Sequence, residues 1–214
     1  MANAAPSAGI PLAGNDFVFG EFDTQFFTRL LELAEPLAGE SFVDIGSGGG
    51  RIVMAAALLR PELGSCHGLE LLPELHEEAI AARTRFEELE SPLCDAAIAP
   101  CEYSCLNVFS EEAAAALQAA DIIFAYCPTW DSNPLEALAS QLKPGARVIN
   151  VGDSIEGARF EPIGTLVGNN ADTGPQSTAH VIRIVGEASS PDAPAAANEG
   201  GGGLPMLSTG EAMS

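Results

Sequence analysis

The sequence predicts an α/β fold, a doubly wound and mostly parallel sheet with helices on both faces. Helix-period and strand-like segments alternate along the middle of the chain, as in sheets that are covered on both sides. One strand runs directly into a glycine-rich turn that opens a helix, over residues 42–51. Two extended segments near residues 160–167 and 179–185 predict an antiparallel hairpin at the sheet edge.

Size and composition predict one folded domain over residues 16–185. The chain has 214 residues, of which 47% are hydrophobic, enough for a single core. Residues 1–15 and 186–214 are rich in Ala, Gly and Pro without apolar periodicity, so we expect disordered tails. No apolar run approaches the roughly 20 residues that cross a bilayer, and no secretory signal pattern is present. We therefore expect a soluble, intracellular protein without a membrane partner, cytoplasmic or nuclear.

The charge and the cysteines exclude some classes of partner. Nine Lys and Arg against thirty Asp and Glu give a formal charge of −21, so we expect no sequence-independent binding of nucleic acid. The same field would attract a basic protein, although an acidic surface that serves solubility is the more common explanation. Cys66 and Cys127 lie in apolar segments and predict reduced thiols. Cys94, Cys101 and Cys105 match no paired ligand spacing, so no metal is expected.

The first half of the chain predicts helix, strand, helix, strand and helix. Asp23 can cap a helix that Gly39 ends and whose apolar stripe is Phe22, Phe26, Leu30, Ala34 and Leu37. A strand over 41–45 and a helix over 50–60 follow. After a strand over 66–71, the next helix starts at Pro73 and repeats apolar residues at Leu75, Ala79, Ala82, Phe86 and Leu89.

The second half predicts three further strands before the hairpin already described. A third strand is expected within 102–109, followed by a helix that begins at Ser110 and carries two glutamates at its positive end. The fourth strand covers 121–127 and a helix covers 134–142. Lys143, Pro144 and Gly145 then turn the chain into a fifth strand over 146–151.

The glycine turn and its flanking carboxylates indicate a ligand. A dinucleotide fingerprint that starts at Gly46 would require a glycine where the chain has Arg51, which argues against NAD. Asp44 at the strand end would repel a pyrophosphate but suits S-adenosylmethionine (SAM), which carries an ammonium and a sulfonium. Glu70 ends the second strand about 20 residues after the loop, where a carboxylate accepts ribose hydroxyls. The pattern therefore favours SAM.

These residues resemble the class I SAM-dependent methyltransferases over Phe17 to Val151, with motif I at Asp44 to Gly50. The resemblance implies a seven-stranded sheet and a cofactor loop that includes Gly46, Ser47, Gly48 and Gly50. The chain is also similar to the non-SET histone-lysine methyltransferases of the disruptor-of-telomeric-silencing type. That likeness rests on Phe19-Gly20-Glu21, on the Phe-Val-Asp-Ile-Gly-Ser-Gly segment and on Phe109-Ser110-Glu111-Glu112.

The resemblance implies roles for particular residues. Glu21 would contact the methionine end of SAM, Glu70 the ribose, and Asn107 with Val108 the adenine, while Leu71 next to Glu70 completes the cofactor set. Two departures are visible: Asn107 stands where an Asp is usual, and Tyr126-Cys127-Pro128-Thr129-Trp130 replaces an Asn-Asn-Phe segment. The basic nucleosome-binding extension is absent, so SAM binding carries over better than histone specificity.

The end of the fourth strand is the expected acceptor site, since ligands of open α/β sheets lie beyond the carboxyl ends of the strands. Tyr126 and Trp130 could line the site around an amine and stabilise its positive charge, or could be ordinary packing at a strand end. Glu21, Asp131 or bulk water could take the lysine proton. The sequence thus predicts a SAM-dependent methyltransferase that acts on a protein lysine. A small-molecule methyltransferase and a non-catalytic SAM-binding domain are the alternatives.

Overall fold

The computed structural model describes residues 22–88, 98–126, 134–169 and 176–186. Its helices are α1 (Thr24–Leu33), α2 (Arg51–Leu59), α3 (Pro73–Glu88), α4 (Glu111–Ala119) and α5 (Pro134–Leu138). Its strands are β1 (Ser41–Ile45), β2 (Ser65–Glu70), β3 (Cys101–Cys105), β4 (Ile122–Tyr126), β5 (Arg147–Val151), β6 (Phe160–Asn169) and β7 (Gln176–Ile184). The two predicted tails lie outside the described residues, apart from Gly186.

The seven strands form one sheet in the order β3-β2-β1-β4-β5-β7-β6. β1 to β5 are parallel to one another, and β7 runs antiparallel to both β5 and β6. The doubly wound, mostly parallel sheet and the edge hairpin predicted from the sequence are confirmed. Because the strand order reverses between β1 and β4, the carboxyl ends of these strands border a crevice in which α/β folds bind ligands.

Alternating side chains of the strands build a core on each face of the sheet. Phe42 and Phe124 pack with α1 and α2 on one face, whereas Val43 and Ile123 pack with α4 and α5 on the other. Both faces of these central parallel strands are therefore buried, as is usual for a parallel sheet covered by helices on both sides. At the carboxyl ends of the parallel strands the chain leaves the sheet, and polar side chains there can reach the crevice.

The first helix confirms its predicted start but ends earlier than predicted. The Asp23 carboxylate accepts a hydrogen bond from the Phe26 amide at 2.7 Å, an N-cap. The helix ends at Leu33 and not near Gly39, because Pro36 follows and disfavours helical geometry in the residue before it. Glu35 takes the left-handed conformation (φ 49°). Leu37, predicted to lie on the buried stripe, is therefore 61% exposed.

Two other helices differ from prediction, α3 in the burial of its apolar stripe and α5 in its extent. On α3, only Ala79 of the predicted stripe is buried, while Leu75, Ala82 and Phe86 are half-buried and Leu89 lies outside the described residues. The reason is that α3 packs near the sheet edge, against β2 and the edge strand β3. α5 ends at Leu138, after which a tighter turn brings Leu142 into the core. Among the described residues, no helix combines the length and apolarity needed to span a membrane.

Candidate functional site

The glycine turn after β1 lies over β2 and is held there by the backbone. The amides of Gly46 and Ser47 both donate to the carbonyl of Leu69, at 2.8 and 3.1 Å. Gly46, Gly48 and Gly50 have φ of 73°, 52° and 78°, which only glycine adopts without strain. A Cβ placed on Gly46 would meet no atom within 4 Å, so the backbone there borders open space. The turn thus presents bare backbone to an approaching ligand.

Glu70, predicted to accept hydrogen bonds from ribose hydroxyls, is the last residue of β2 and lies directly beneath this turn. Its Oε2 accepts the Gly48 amide and its Oε1 accepts the Leu72 amide, both at 2.8 Å, and the residue is 7% exposed. Each carboxylate oxygen can accept two hydrogen bonds, so, counting the bonds within the described ranges, one acceptor position remains on each oxygen. The backbone bonds fix the orientation of Glu70 and leave it able to accept two hydroxyls.

Asp44 lies next to Glu70 on the adjacent strand and is 3% exposed. Burial, reinforced by the negative charge of Glu70, raises the pKa of Asp44 to about 8. None of the ion pairs between described residues joins a Lys or Arg to either carboxylate. A buried carboxylate in this state is stabilised in its charged form by any cation that binds beside it. The electrostatics therefore favour a cationic ligand.

Ser47 provides a second test of whether the site fits SAM. The residue is 8% exposed, and its buried Oγ has no hydrogen-bond partner within the described part of the chain. A buried unpaired hydroxyl is costly and is a common sign of an absent ligand or water. Together with the open backbone at Gly46 and the unfilled acceptor positions of Glu70, it fits a ligand with hydroxyl, ammonium and carboxylate groups. SAM has all three.

The residues predicted to contact adenine follow β2 and β3. Val108 is buried, Leu71 is exposed, and the Asn107 Oδ1 accepts the Phe109 amide at 2.9 Å. Asn107 therefore shapes the turn after β3 with its oxygen, and its amide NH₂ remains a hydrogen-bond donor. An Asp at this position would make the same backbone bond but would lack that donor.

Tyr126, the predicted acceptor-site residue, ends β4 and is half-buried. Its ring lies 5.1 Å from the ring of Phe22, centroid to centroid, and packs against the core on the α1 side of the sheet. Part of the predicted aromatic wall is thus also core packing. Phe22 directly follows Glu21 in the sequence. Glu21 and Trp130, the other predicted contacts of this region, lie outside the described residues, as do Cys127 and Asp131.

Tyr103 reaches the glycine turn although the sequence analysis does not single it out. It stands in β3, and its hydroxyl donates to the Gly50 carbonyl at 3.3 Å. The pattern that could have revealed it is the glycine at the matching position of the neighbouring strand, Gly68, which leaves room for a large ring. That match depends on strand order and register, which the sequence alone does not supply.

Comparisons with known proteins relate the chain to a family and to solved folds. A family model described as "Histone methylation protein DOT1" matches residues 12–161. Aklanonic acid methyltransferase DauC from Streptomyces sp. (strain C5) is 39% identical over 59 residues, which are 28% of this chain and 27% of that protein. The chain therefore matches about a quarter of the length of this curated relative.

Two solved structures show the same fold. An RNA methyltransferase from Salinibacter ruber in complex with S-adenosyl-L-homocysteine has a TM-score of 0.54 at 21% identity, over 79% of this chain and 99% of that chain. The rRNA methyltransferase AviRa from Streptomyces viridochromogenes has a TM-score of 0.55 at 15% identity, over 80% of this chain and 87% of that chain. Because the family model covers more than half of its length, the chain belongs to the Histone methylation protein DOT1 family.

Proposed function

We propose that this protein is a SAM-dependent methyltransferase that transfers a methyl group to the side-chain amine of a lysine in a protein substrate. The observation that carries the proposal is the match of residues 12–161 to the family of a histone methylation protein. The formal charge of −21 supports it, because an acidic surface attracts lysine-rich segments and speeds their encounter. The same charge disfavours RNA, the substrate class named for the two structurally similar methyltransferases.

In this proposal two carboxylates define the cofactor side of the crevice. Asp44 would face the positive charge of SAM, and Glu70 would accept its ribose hydroxyls. The turn formed by Gly46, Ser47, Gly48 and Gly50 would lie against the methionine end together with Glu21, and Leu71, Asn107 and Val108 would lie around the adenine. When bound, SAM supplies a methyl group attached to a positively charged sulfur. The protein's own part is to align the acceptor and to keep water away.

The acceptor side would be the carboxyl end of β4, with Tyr126 and Trp130. β4 is the neighbour of β1, and Ala125 is in register with Ile45, so Tyr126 ends its strand beside the start of the glycine turn. An aromatic face next to the amine would stabilise the positive charge that develops on nitrogen. The amine attacks only as the neutral form, so its proton must leave first, to water or to Glu21 or Asp131.

A small-molecule acceptor is the second candidate. It is favoured by the similarity to aklanonic acid methyltransferase over 59 residues. Both candidates use the same cofactor residues and differ only at the end of β4. There, a small acceptor would require a closed apolar pocket, whereas a lysine side chain would require an open pocket. A domain that binds SAM without transferring its methyl group is the third outcome that an assay must separate.

Labelled SAM distinguishes these functions in one experiment. The protein is incubated with core histones, with extract proteins and with the small-molecule fraction of the extract, beside a Glu70→Ala variant as the negative control. The proposal expects label on protein, with mass spectrometry locating methyl-lysine. Label confined to small molecules would replace it with the second candidate. Absence of any product from a protein that binds SAM in calorimetry would indicate a non-catalytic domain.

A further inference from the structure

We propose that Tyr103 is a positioning residue for the cofactor, holding the glycine turn in its ligand-binding shape from the third strand. Asp44, Gly68 and Tyr103 are register partners across β1, β2 and β3, on the same face of the sheet. Neighbouring strands lie about 4.8 Å apart, so the Asp44 and Tyr103 backbones are two interstrand spacings apart, with β2 between them. Because Gly68 between them has no side chain, the ring of Tyr103 extends over β2 towards Asp44.

The space above Gly68 is shared by the turn and the ring. A Cβ on Gly68 would lie 2.6 Å from the Ser47 Oγ and 2.9 Å from the Tyr103 Cδ1. A Cβ on Gly50 would lie 2.6 Å from the Tyr103 Cε1. Distances below 3 Å are shorter than real Cβ contacts, so a side chain at Gly68 would clash with Ser47 and with the ring, and one at Gly50 would clash with the ring and with Ala79. Tyr103 therefore packs beneath the two ends of the turn, at Ser47 and at Gly50.

The hydroxyl of Tyr103 adds a specific contact at the start of α2. Gly50 is the N-cap residue of that helix and has no side chain to cap it. Its carbonyl accepts the Met54 amide at 3.1 Å and the Tyr103 hydroxyl at 3.3 Å. Burial, with the charges of Cys101 and Asp44, raises the pKa of Tyr103, so the phenol remains a donor at physiological pH. The position of Gly50 is thus set from β3.

This arrangement predicts that Tyr103 acts on SAM affinity through the turn and not only on stability. The inference concerns the cofactor side of the proposed function, and its test measures SAM binding without any acceptor. A wrong lysine assignment therefore leaves the result unaffected. Tyr103→Leu removes the ring, whereas Tyr103→Phe removes only the hydroxyl. Phe160→Leu is the matched control, since Phe160 is also half-buried on an edge strand but lies at the opposite end of the sheet.

Calorimetry with SAM and melting temperatures form the first measurement. We expect Tyr103→Leu to raise the SAM dissociation constant at least about tenfold and Tyr103→Phe about two- to fivefold, as one hydrogen bond contributes. Phe160→Leu should lower the melting temperature to a similar degree as Tyr103→Leu, yet leave the dissociation constant within about twofold. A Tyr103→Leu protein that melts like the control and binds SAM like the wild type would overturn the inference.

Two further variants keep the test decisive. Gly68→Ala inserts a Cβ within 3 Å of both Ser47 and Tyr103 and should weaken SAM binding in the wild type. In the Tyr103→Leu background the contact with the ring is gone while that with Ser47 remains, so the loss should be smaller, a non-additive pair. If Tyr103→Leu does not fold, amide hydrogen exchange of Tyr103→Phe decides. Faster exchange confined to the turn at residues 46–50 supports the inference. Unchanged exchange there, with unchanged SAM affinity, contradicts it.

Discussion

At the amino end of the parallel sheet, acidic residues face cations of the chain itself, whereas at the carboxyl end they face one another. Glu40 pairs with Arg147, and Asp121 pairs with Lys143 at 2.6 Å. Burial opposes ionisation of Asp121, but hydrogen bonds from Lys143 and Ser41 outweigh it and hold its pKa below the usual value. At the other end, burial and Glu70 raise the pKa of Asp44.

This difference distinguishes carboxylates that stabilise the fold from carboxylates that are available to bind a ligand. A carboxylate that is paired within the chain stabilises the fold and has no need of a ligand. Two buried carboxylates without a cation from the described residues destabilise the free protein and gain stabilisation when a cation binds. Such groups occur where a site is built for a positively charged ligand. The amino end of this sheet is therefore expected to tolerate substitution without loss of SAM, and the carboxyl end is not.

The largest effect should come from the carboxylates of the carboxyl end. Loss of either Asp44 or Glu70, as Asp44→Asn or Glu70→Ala, should cost on the order of 1.5 to 3 kcal/mol of SAM binding, about ten- to a hundredfold. Asp121→Asn at the amino end is the control. It should lower the free energy of unfolding by less than about 1 kcal/mol and leave SAM affinity unchanged. Unchanged calorimetric binding in a folded double variant of Asp44 and Glu70 would refute the assignment.

The second prediction concerns the pH dependence of SAM binding. A bound cation favours ionised Asp44, whose pKa is raised to about 8, so affinity should rise as the pH approaches 8 and level off above it. The rise should be up to about tenfold per pH unit. Asp44→Asn should flatten this part of the profile. The difference between the two proteins is the informative quantity, because the amino group of SAM titrates in the same range. Identical pH profiles of the wild type and of Asp44→Asn would mean that Asp44 is not the group whose ionisation controls SAM binding.

The same shift has a consequence of opposite sign for the free protein. An acid whose pKa rises on folding binds more protons in the folded than in the unfolded state. Stability contributed through Asp44 should therefore fall as the pH rises from its ordinary pKa of 3.8 towards 8. Denaturant titrations at pH 5 and 8 should show that Asp44→Asn loses less stability than the wild type over this interval.

The third prediction divides the carboxyl end into a cofactor side and an acceptor side. Trp130→Ala should leave SAM affinity nearly intact and slow methyl transfer at least about tenfold, through lost cation–π stabilisation and alignment. Tyr126→Leu should behave similarly and also lower stability, since its ring packs on Phe22. Turnover with labelled SAM is compared with calorimetry. A Trp130→Ala protein that binds SAM about tenfold worse and keeps its turnover number would place Trp130 on the cofactor side.

The smallest effect should come from the ends of the chain. Residues 1–15 and 186–214 lack the apolar periodicity needed to dock on a core. Near the end of the described residues, the Val185 amide donates to the Arg159 carbonyl, and the Val185 carbonyl accepts a hydrogen bond from the Arg159 side chain. A chain limited to residues 16–185 should keep both the SAM affinity and the melting temperature of the full protein. A melting temperature lower by many degrees would mean that one of the tails packs.

Much of this molecule could be predicted from local sequence signals. The strand at 41–45, the turn of glycines after it, the cap at Asp23, the helix start at Ser110 and the edge hairpin all depend on residues close together in the chain. The apolar stripe predicts too long a helix α1, whereas Pro36, which is also a local signal, indicates the earlier end that the structure shows. Local chemistry therefore suffices for the type and order of the elements and for the position of the glycine turn.

The tertiary structure alone decided what depends on strand order and burial. The half-buried stripe of α3 results from the position of β3 at the sheet edge, and the contact between Tyr103 and Gly50 crosses from β3 over β2. The raised pKa of Asp44 arises from burial by residues distant in the chain and from Glu70 on the next strand. Periodicity and spacing report on neighbours in sequence. Packing, register and dielectric surroundings are set by segments that meet only when the sheet forms.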